Sequence, residues 1–503
     1  MSTSPFSYPE PDIQVLPLDD AFKAVYPSPP GQLVDQWPPP QAEYLRVYLK
    51  EIGCKTVVIE EHYIDRVFMH DHAVFYGRNL RSYPNFTKRL HFFTQLFDQS
   101  EWKAMIARAA NGEQAAVQDR LQTHYHGFSV VRPLPDSPVG RTVLPAHATR
   151  APEDSSSVFR SVRRHATHLA GFTLDIEGVP FQQQDQGVSA CATTALWSAI
   201  DSVAAVEEVP GASPASITEA ATRYPLQEGR PFPTEGLTVR QLCEATRAAG
   251  FSPVVIRSSN LAEDRLQIFS YAVSGLSPVL ALESTADGSS GHAVCAVGLR
   301  CGAISPRTDF TVTFQEESTK LLGLYIHDDR LGPYAFAQLS PFTDKYGAIR
   351  TLVAIEWPDN KPDQDWLLHA IVVPVPQKLR LTITRMRRIA LIAVESAAQG
   401  LKEPRTSLNC RYDLSRRYLQ SAYKFGLSDD GIYELVCKTP LSRFVGVIEI
   451  SVPAGPVLDL LLDTTEANPE PAVLACIKRS ALPQAGEPVL QALARHFGAR
   501  AIL

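Results

Sequence analysis

At 503 residues the chain has length for roughly three domains, which excludes a small disulfide-held scaffold. Its 45% hydrophobic and 20% charged residues exclude a fibrous or wholly disordered protein. With 48 Lys and Arg against 54 Asp and Glu, the net charge of −6 is too small to steer the whole molecule onto nucleic acid or an anionic membrane, so neither is expected as a partner.

The opening MSTSPFSYPEPD has no basic region followed by an apolar one, and no apolar stretch approaches about 18 residues. A soluble, cytoplasmic chain without a membrane span is expected. Ten prolines up to Gln41 predict an extended arm over residues 1–41. From Ala42 the pattern becomes YLRVYLKEIG, a short amphipathic helix, then CKTVVIEE, a strand, then a mixed aromatic and basic stretch through Phe93. A helix opening at Ser100-Glu101-Trp102 and a strand in GFSVVRPLP complete an α/β accessory segment, 42–157, which ends at the polar RAPEDSSS.

Between residues 158 and 357, helices are expected from Cys191 to Glu208 and from Val239 to Ala249, the second stopped by Gly250. SPVVIRS, SPVLALES, HAVCAVGLR, FTVTFQ and GLYIHDD read as strands of one mixed or antiparallel sheet, giving an α+β class. Beyond Trp357 a C-terminal α+β segment, 358–503, is expected to hold strands HAIVVPV, IYELVCK, FVGVIEISV and VLDLLLD and helices RRIALIAVESAAQG and PVLQALARHF.

The eight cysteines, Cys54, Cys191, Cys243, Cys295, Cys301, Cys410, Cys437 and Cys476, are scattered without a CxxC pair. They read as reduced thiols with no zinc site among them. One stands apart. Cys191 lies at the mouth of its helix, where free N–H groups and the macrodipole favour thiolate. A thiol nucleophile also needs a base, an orienting group and oxyanion donors. The preceding glutamine-rich loop offers Gln184 or Gln186 as a donor beside the Cys191 N–H. His292 opens an apolar strand, placed to reach into a cleft at the end of the sheet. Asp328 and Asp329 end the strand GLYIHDD. Side-chain alternation puts Asp328 with Leu324 and Ile326 and Asp329 with Tyr325 and His327, so only one should face His292. Asp328 continues the apolar face and is favoured; Asp329 is the alternative.

GHAVCAVG resembles the histidine strand of papain-like cysteine peptidases. VPFQQQ followed by ACATTALWSAI resembles the glutamine loop and cysteine helix of the related bacterial leader-processing peptidases. The order Cys, His, Asp matches both, and GLTVRQLCEATRAAGF before SPVVIRS, and LSPVLALES before GHAV, fit the bacterial arrangement. The likeness covers roughly residues 175–345. Ala192 departs from it, since the bacterial enzymes carry glycine and the papain relatives tryptophan after the cysteine; here Trp197 comes later. Gln184 fits the bacterial spacing from Val179-Pro180, whereas Gln186-Gly187 imitates the papain pair one residue nearer the cysteine. The resemblance implies a papain-like domain flanked by two accessory segments, hydrolysing peptide or isopeptide bonds. Cys191 would be nucleophile, His292 base, Asp328 its orienting carboxylate and Gln184 the oxyanion donor, with no metal and no cofactor. A peptide or protein would be the substrate, and the flanking segments would recruit it or a protein partner. Acyl transfer to an amine, as in transglutaminase-like enzymes, and an inactive binding module are the alternatives.

Other residues read as structural. Cys295 is a small core hydrophobe. His62, His70, Asp71 and His72 do not share one face of a regular element, which argues against a metal site. Arg78, Arg81, Lys88, Arg89 and His91 interleave with Tyr76, Tyr83, Phe86, Phe92 and Phe93, a mixture that suits nucleic acid or a solvated face over an aromatic core equally. Asp463-Thr464-Thr465 reads as a turn.

Overall fold

A computed structural model describes residues 12–26, 39–80, 82–147, 154–185, 187–188, 190–223, 236–285, 290–303, 314–344, 347–357, 365–401, 406–466 and 472–503. The class is α+β. Its centre is built from apolar runs that are too short for helices and rich in β-branched residues. Five of them, Val279–Ser284, Gly291–Cys301, Leu321–Asp328, Gly332–Thr343 and Ile349–Ile355, pair antiparallel with their neighbours in chain order. A sixth, Trp366–Val375, pairs with the last through Val353↔Trp366 and returns to the first through Ser284↔Trp366 to Val279↔Val372. The ring is therefore closed into a barrel, its last junction resting on the two pairs Leu352↔Leu367 and Val353↔Trp366. Ser252–Arg257 extends one flank of Trp366–Val375, and Ser156–Val158 extends Gly291–Cys301.

Against this barrel lies the helix Cys191–Glu207, with twelve of its seventeen residues buried. A helix apolar all round belongs inside a protein. Its core continues from Leu18 through the barrel to Leu493, so the three parts share one apolar interior.

The N-terminal part is a five-stranded antiparallel sheet of Ile13–Pro17, Thr56–Tyr63, Thr87–Phe93, Tyr125–Val131 and Val139–Val143. The span read as an extended arm therefore contains an edge strand, which tolerates Pro17. It also holds the helix Leu18–Val25, burying Leu18, Ala21, Phe22 and Val25 at helical spacing. This helix occupies the proline-free interval after Pro17. Residues 27–38 lie outside the described residues.

The C-terminal sheet runs Phe314–Glu316, Thr406–Leu414, Phe444–Val452, Gly455–Asp463, Val473–Lys478 and Arg500–Ile502, with the two outer pairings parallel. Three expectations change here. Phe314–Glu316, the described end of FTVTFQ, pairs with Thr406–Leu408 and not with the central sheet, whereas Trp366–Val375, placed beyond the 358 boundary, belongs to the barrel. IYELVCK is helical: Asp429–Tyr433 continues into a wider turn, Glu434–Lys438. Ser428 caps its start by accepting from Gly431 N at 3.1 Å, and Glu434 pairs with Lys438 one turn on. A short apolar run cannot by itself separate strand from helix. Among the described residues, no helix is long and apolar enough to cross a membrane.

Candidate active site

Antiparallel pairing brings the start of one strand beside the end of the next. His292, second residue of its strand, and Asp328, last of the neighbouring one, therefore meet at one rim of the barrel. His292 Nε2 lies 3.0 Å from Asp328 Oδ1. A carboxylate only accepts, so Nε2 carries the hydrogen and Nδ1 of the neutral ring is left with a free lone pair. Trp366, opening the strand that closes the barrel, covers the pair with its ring 5.3 Å from that of His292.

Asp328 is fully buried, and Arg330 answers its charge. Arg330 Nη2 donates to Oδ2 at 2.9 Å, and its backbone N–H to Oδ1 at 3.0 Å. Arg330 Nε stands 3.3 Å from Oδ1 and 3.1 Å from His292 Nε2. With the Nε2 hydrogen aimed at Asp328, this N–H serves the carboxylate. Burial pushes the Asp328 carboxyl up, but the charges and hydrogen bonds of His292 and Arg330 outweigh it and hold the group well below the usual carboxylate range. Burial likewise pulls the His292 imidazolium down. The charge and hydrogen bond of Asp328, then a hydrogen bond with Cys191 and the charge of Asp329, reverse this and raise His292 to about 10.

Cys191 is the first residue of its helix and half-buried, with a free thiol. Its N-cap is Ala190, which has no side-chain oxygen to satisfy the first-turn N–H groups. That choice leaves first-turn N–H groups beside Cys191 without a side-chain cap, as an anion site requires. Cys191 Sγ, a ring nitrogen of His292 and a carboxylate oxygen of Asp329 all lie within 4.8 Å of one another. Thus both aspartates stand against His292, which corrects the expectation that only one could. The ladder shifts register between Ile326 and Asp328, and the strand stops there, so alternation no longer governs Asp329. Asp329 is buried, and neither of its oxygens has a hydrogen-bond partner among the described residues. Burial raises its carboxyl above the ordinary value, assisted by the Asp328 charge and opposed by that of His292.

The glutamine loop is fixed by the N-terminal part. Arg132 and Asp185 form a buried ion pair at 3.1 Å, and Arg132 also donates to Gln183 O at 2.9 Å and to Ser137 O. Asp185 Oδ1 accepts from the backbone N–H of Gly187 at 2.9 Å and Val188 at 2.6 Å. Thr218 Oγ1 donates to Val188 O at 2.6 Å, holding the chain just before Cys191. Gly187 is required there, since a Cβ would stand 2.6 Å from the Phe75 ring.

Within this loop Gln184 is exposed, and Gln186 lies outside the described residues. Gln183 is buried and held by Val139 N and Asp136 O. Gln182 was not singled out from the sequence. It is 2% exposed, and its Nε2 has no acceptor among the described residues. It follows Phe181, whose ring packs 5.6 Å from that of His327, the neighbour of Asp328. Three adjacent glutamines give the sequence no signal that separates them.

The other candidates are structural. Asp71 accepts from Ala215 N, His70 Nδ1 meets Ser213 Oγ at 2.6 Å, and His72 Nε2 meets Tyr83 O at 2.9 Å, so HDH disperses to three partners. Arg89 and His91 are buried on Glu60 within the N-terminal sheet. Asp463 Oδ1 accepts from Thr465 N, a local turn. Cys295 is fully buried, and burial pushes its thiol well above the usual range. No family model matches the chain, and no curated protein matches it.

Proposed function

We propose that the protein is a thiol hydrolase of the papain-like kind, acting on amide bonds of peptides or proteins. What carries this reading is one arrangement: the Cys191 thiol at an uncapped helix start, beside the imidazole of His292, whose far nitrogen is held by Asp328 at 3.0 Å. His292, raised to about 10, is an imidazolium at neutral pH when it has taken the thiol proton. Cys191 attacks the carbonyl carbon, and His292 then returns the proton to the leaving amine. Water attacks the thioester with His292 as base, releasing the acid and regenerating the thiol. Asp328 fixes the ring's tautomer and balances its charge. The Cys191 N–H and the Gln182 amide are the donors for the tetrahedral oxyanion, Gln182 replacing Gln184 because its N–H is buried and unsatisfied. A helix carrying cysteine against an antiparallel barrel carrying histidine and aspartate is the order that the sequence resemblance implies.

Incubating the protein with a mixed peptide library tests this. New carboxyl and amino termini should appear with wild type and vanish with Cys191→Ala. Incorporation of a labelled primary amine without cleavage would assign acyl transfer in its place. Alkylation of Cys191 at the pace of the buried cysteines would leave only a binding module.

A further inference from the structure

Hydrolysis as described makes no use of Asp329, yet this is the most poorly satisfied charged group beside the nucleophile. The side chain is 3% exposed, both oxygens are unpartnered among the described residues, and Arg330 is committed to Asp328. A buried carboxylate in that condition calls for a bound cation or a proton. The surrounding atoms point to the cation. One oxygen of Asp329, Cys191 Sγ and a His292 nitrogen form a triangle with all sides within 4.8 Å, the sole such group of three among the described residues. We propose that Cys191, His292 and Asp329 bind a zinc ion that reversibly silences the thiol.

A tetrahedral zinc with sulfur at about 2.3 Å and nitrogen or oxygen at about 2.0–2.2 Å spaces its donors about 3.3–3.6 Å apart, so the triangle needs only a modest contraction. Thiolate and imidazole select zinc over calcium or magnesium, which take oxygen ligands. His292 is already oriented as a zinc ligand would be. Its Nε2 is held by Asp328, the carboxylate–histidine–metal relay, which leaves Nδ1 for the ion. Half-buried Cys191 provides the way in, and the fourth position takes water. Binding converts thiol and imidazole to thiolate and neutral ring, releases their shared proton to solvent and leaves the metal divalent. With its sulfur coordinated, Cys191 cannot attack a carbonyl, nor can His292 shuttle protons.

The test uses the full-length protein stripped with EDTA and titrated with zinc chloride against a chromophoric chelator, with no substrate present. It therefore reads independently of whether the protein is a hydrolase. One zinc per chain is expected, with iodoacetamide labelling of Cys191 slowed at least tenfold and restored by EDTA. Asp329→Ala should weaken zinc binding at least tenfold. Cobalt should bind with a sulfur-to-metal charge-transfer band that is absent in Cys191→Ser, a variant that keeps the test decisive if Asp329→Ala does not fold. Failure to retain zinc, or zinc affinity and Cys191 protection unchanged on removing Asp329, overturns the proposal.

Discussion

Arg330 grips the Asp328 carboxylate in a fork, Nη2 on Oδ2 at 2.9 Å and Nε near Oδ1 at 3.3 Å, while that carboxylate holds His292 from its other side. The histidine's orientation is therefore secured two residues deep. Arg330→Met keeps an unbranched apolar stem but removes the fork, together with the guanidinium that stands 5.2 Å from the Trp366 ring. Turnover should fall roughly 10–100-fold, since small misplacements of a proton carrier are costly. Asp328→Ala should cost more, about 10³-fold or above, by freeing the wrong tautomer. Iodoacetamide rates at Cys191 across pH check both; a wild-type rate profile in Arg330→Met would show that the fork does not position the ring.

Gln182 and Gln184 separate cleanly by substitution. If the buried Gln182 amide supplies an oxyanion donor, Gln182→Ala should lower kcat about 10²–10³-fold. Alkylation of Cys191, which develops no oxyanion, should be unaffected. Gln184→Ala removes an exposed side chain and should leave kcat within about twofold. The opposite ranking would return the role to Gln184.

The sequence made the candidate residues legible because the chemistry proposed for them depends on element ends. A cysteine at a helix start, a histidine opening a strand and an aspartate closing another can be read from local pattern alone, and the structure puts all three at one rim. What was illegible depends on contacts distant in the chain. Gln182 differs from Gln184 in burial and from the equally buried Gln183 in lacking an acceptor, which three identical letters cannot encode. Asp328 and Asp329 stood as alternatives under a rule of alternation that fails where a ladder shifts and ends. Trp366 shields His292 from a strand assigned to the next segment, because barrel closure is invisible to any local window. Likewise IYELVCK follows its cap and its one-turn ion pair, not its β-branched content.

Arg132 and Asp185 couple the N-terminal sheet to the glutamine loop through an ion pair that is 1% and 2% exposed. Arg132→Ala should destabilise the protein by about 3–5 kcal/mol, because it leaves the Asp185 carboxylate buried without its counter-charge. Much of the loop's anchoring would go with it, since Arg132 also binds Gln183 O and Ser137 O. Denaturant midpoints at constant m-value measure the loss. A change under about 1 kcal/mol would mean that Asp185 finds compensation from its backbone partners.

Stability should decline on the acid side through His327. Its ring is fully buried between Phe181 and Tyr334, with centroids at 5.6 and 4.9 Å, and burial pulls its pKa down to about 3. A depressed histidine is neutral in the folded state, so its contribution is intact above the unfolded value of about 6.5 and is lost as pH falls from there toward 3. Between pH 7 and pH 5 that amounts to about 2 kcal/mol. His165, lowered to about 4 chiefly by burial, acts in the same direction. Asp71 acts in the other: burial raises it to about 8, so its contribution is complete below its unfolded value near 4 and is lost as pH climbs toward 8. His327→Phe keeps the ring packing and removes the titration. The drop in unfolding free energy from pH 7 to pH 5 should shrink by about 2 kcal/mol in that variant, measured in urea at both pH values. An unchanged drop would place the acid limb on other groups.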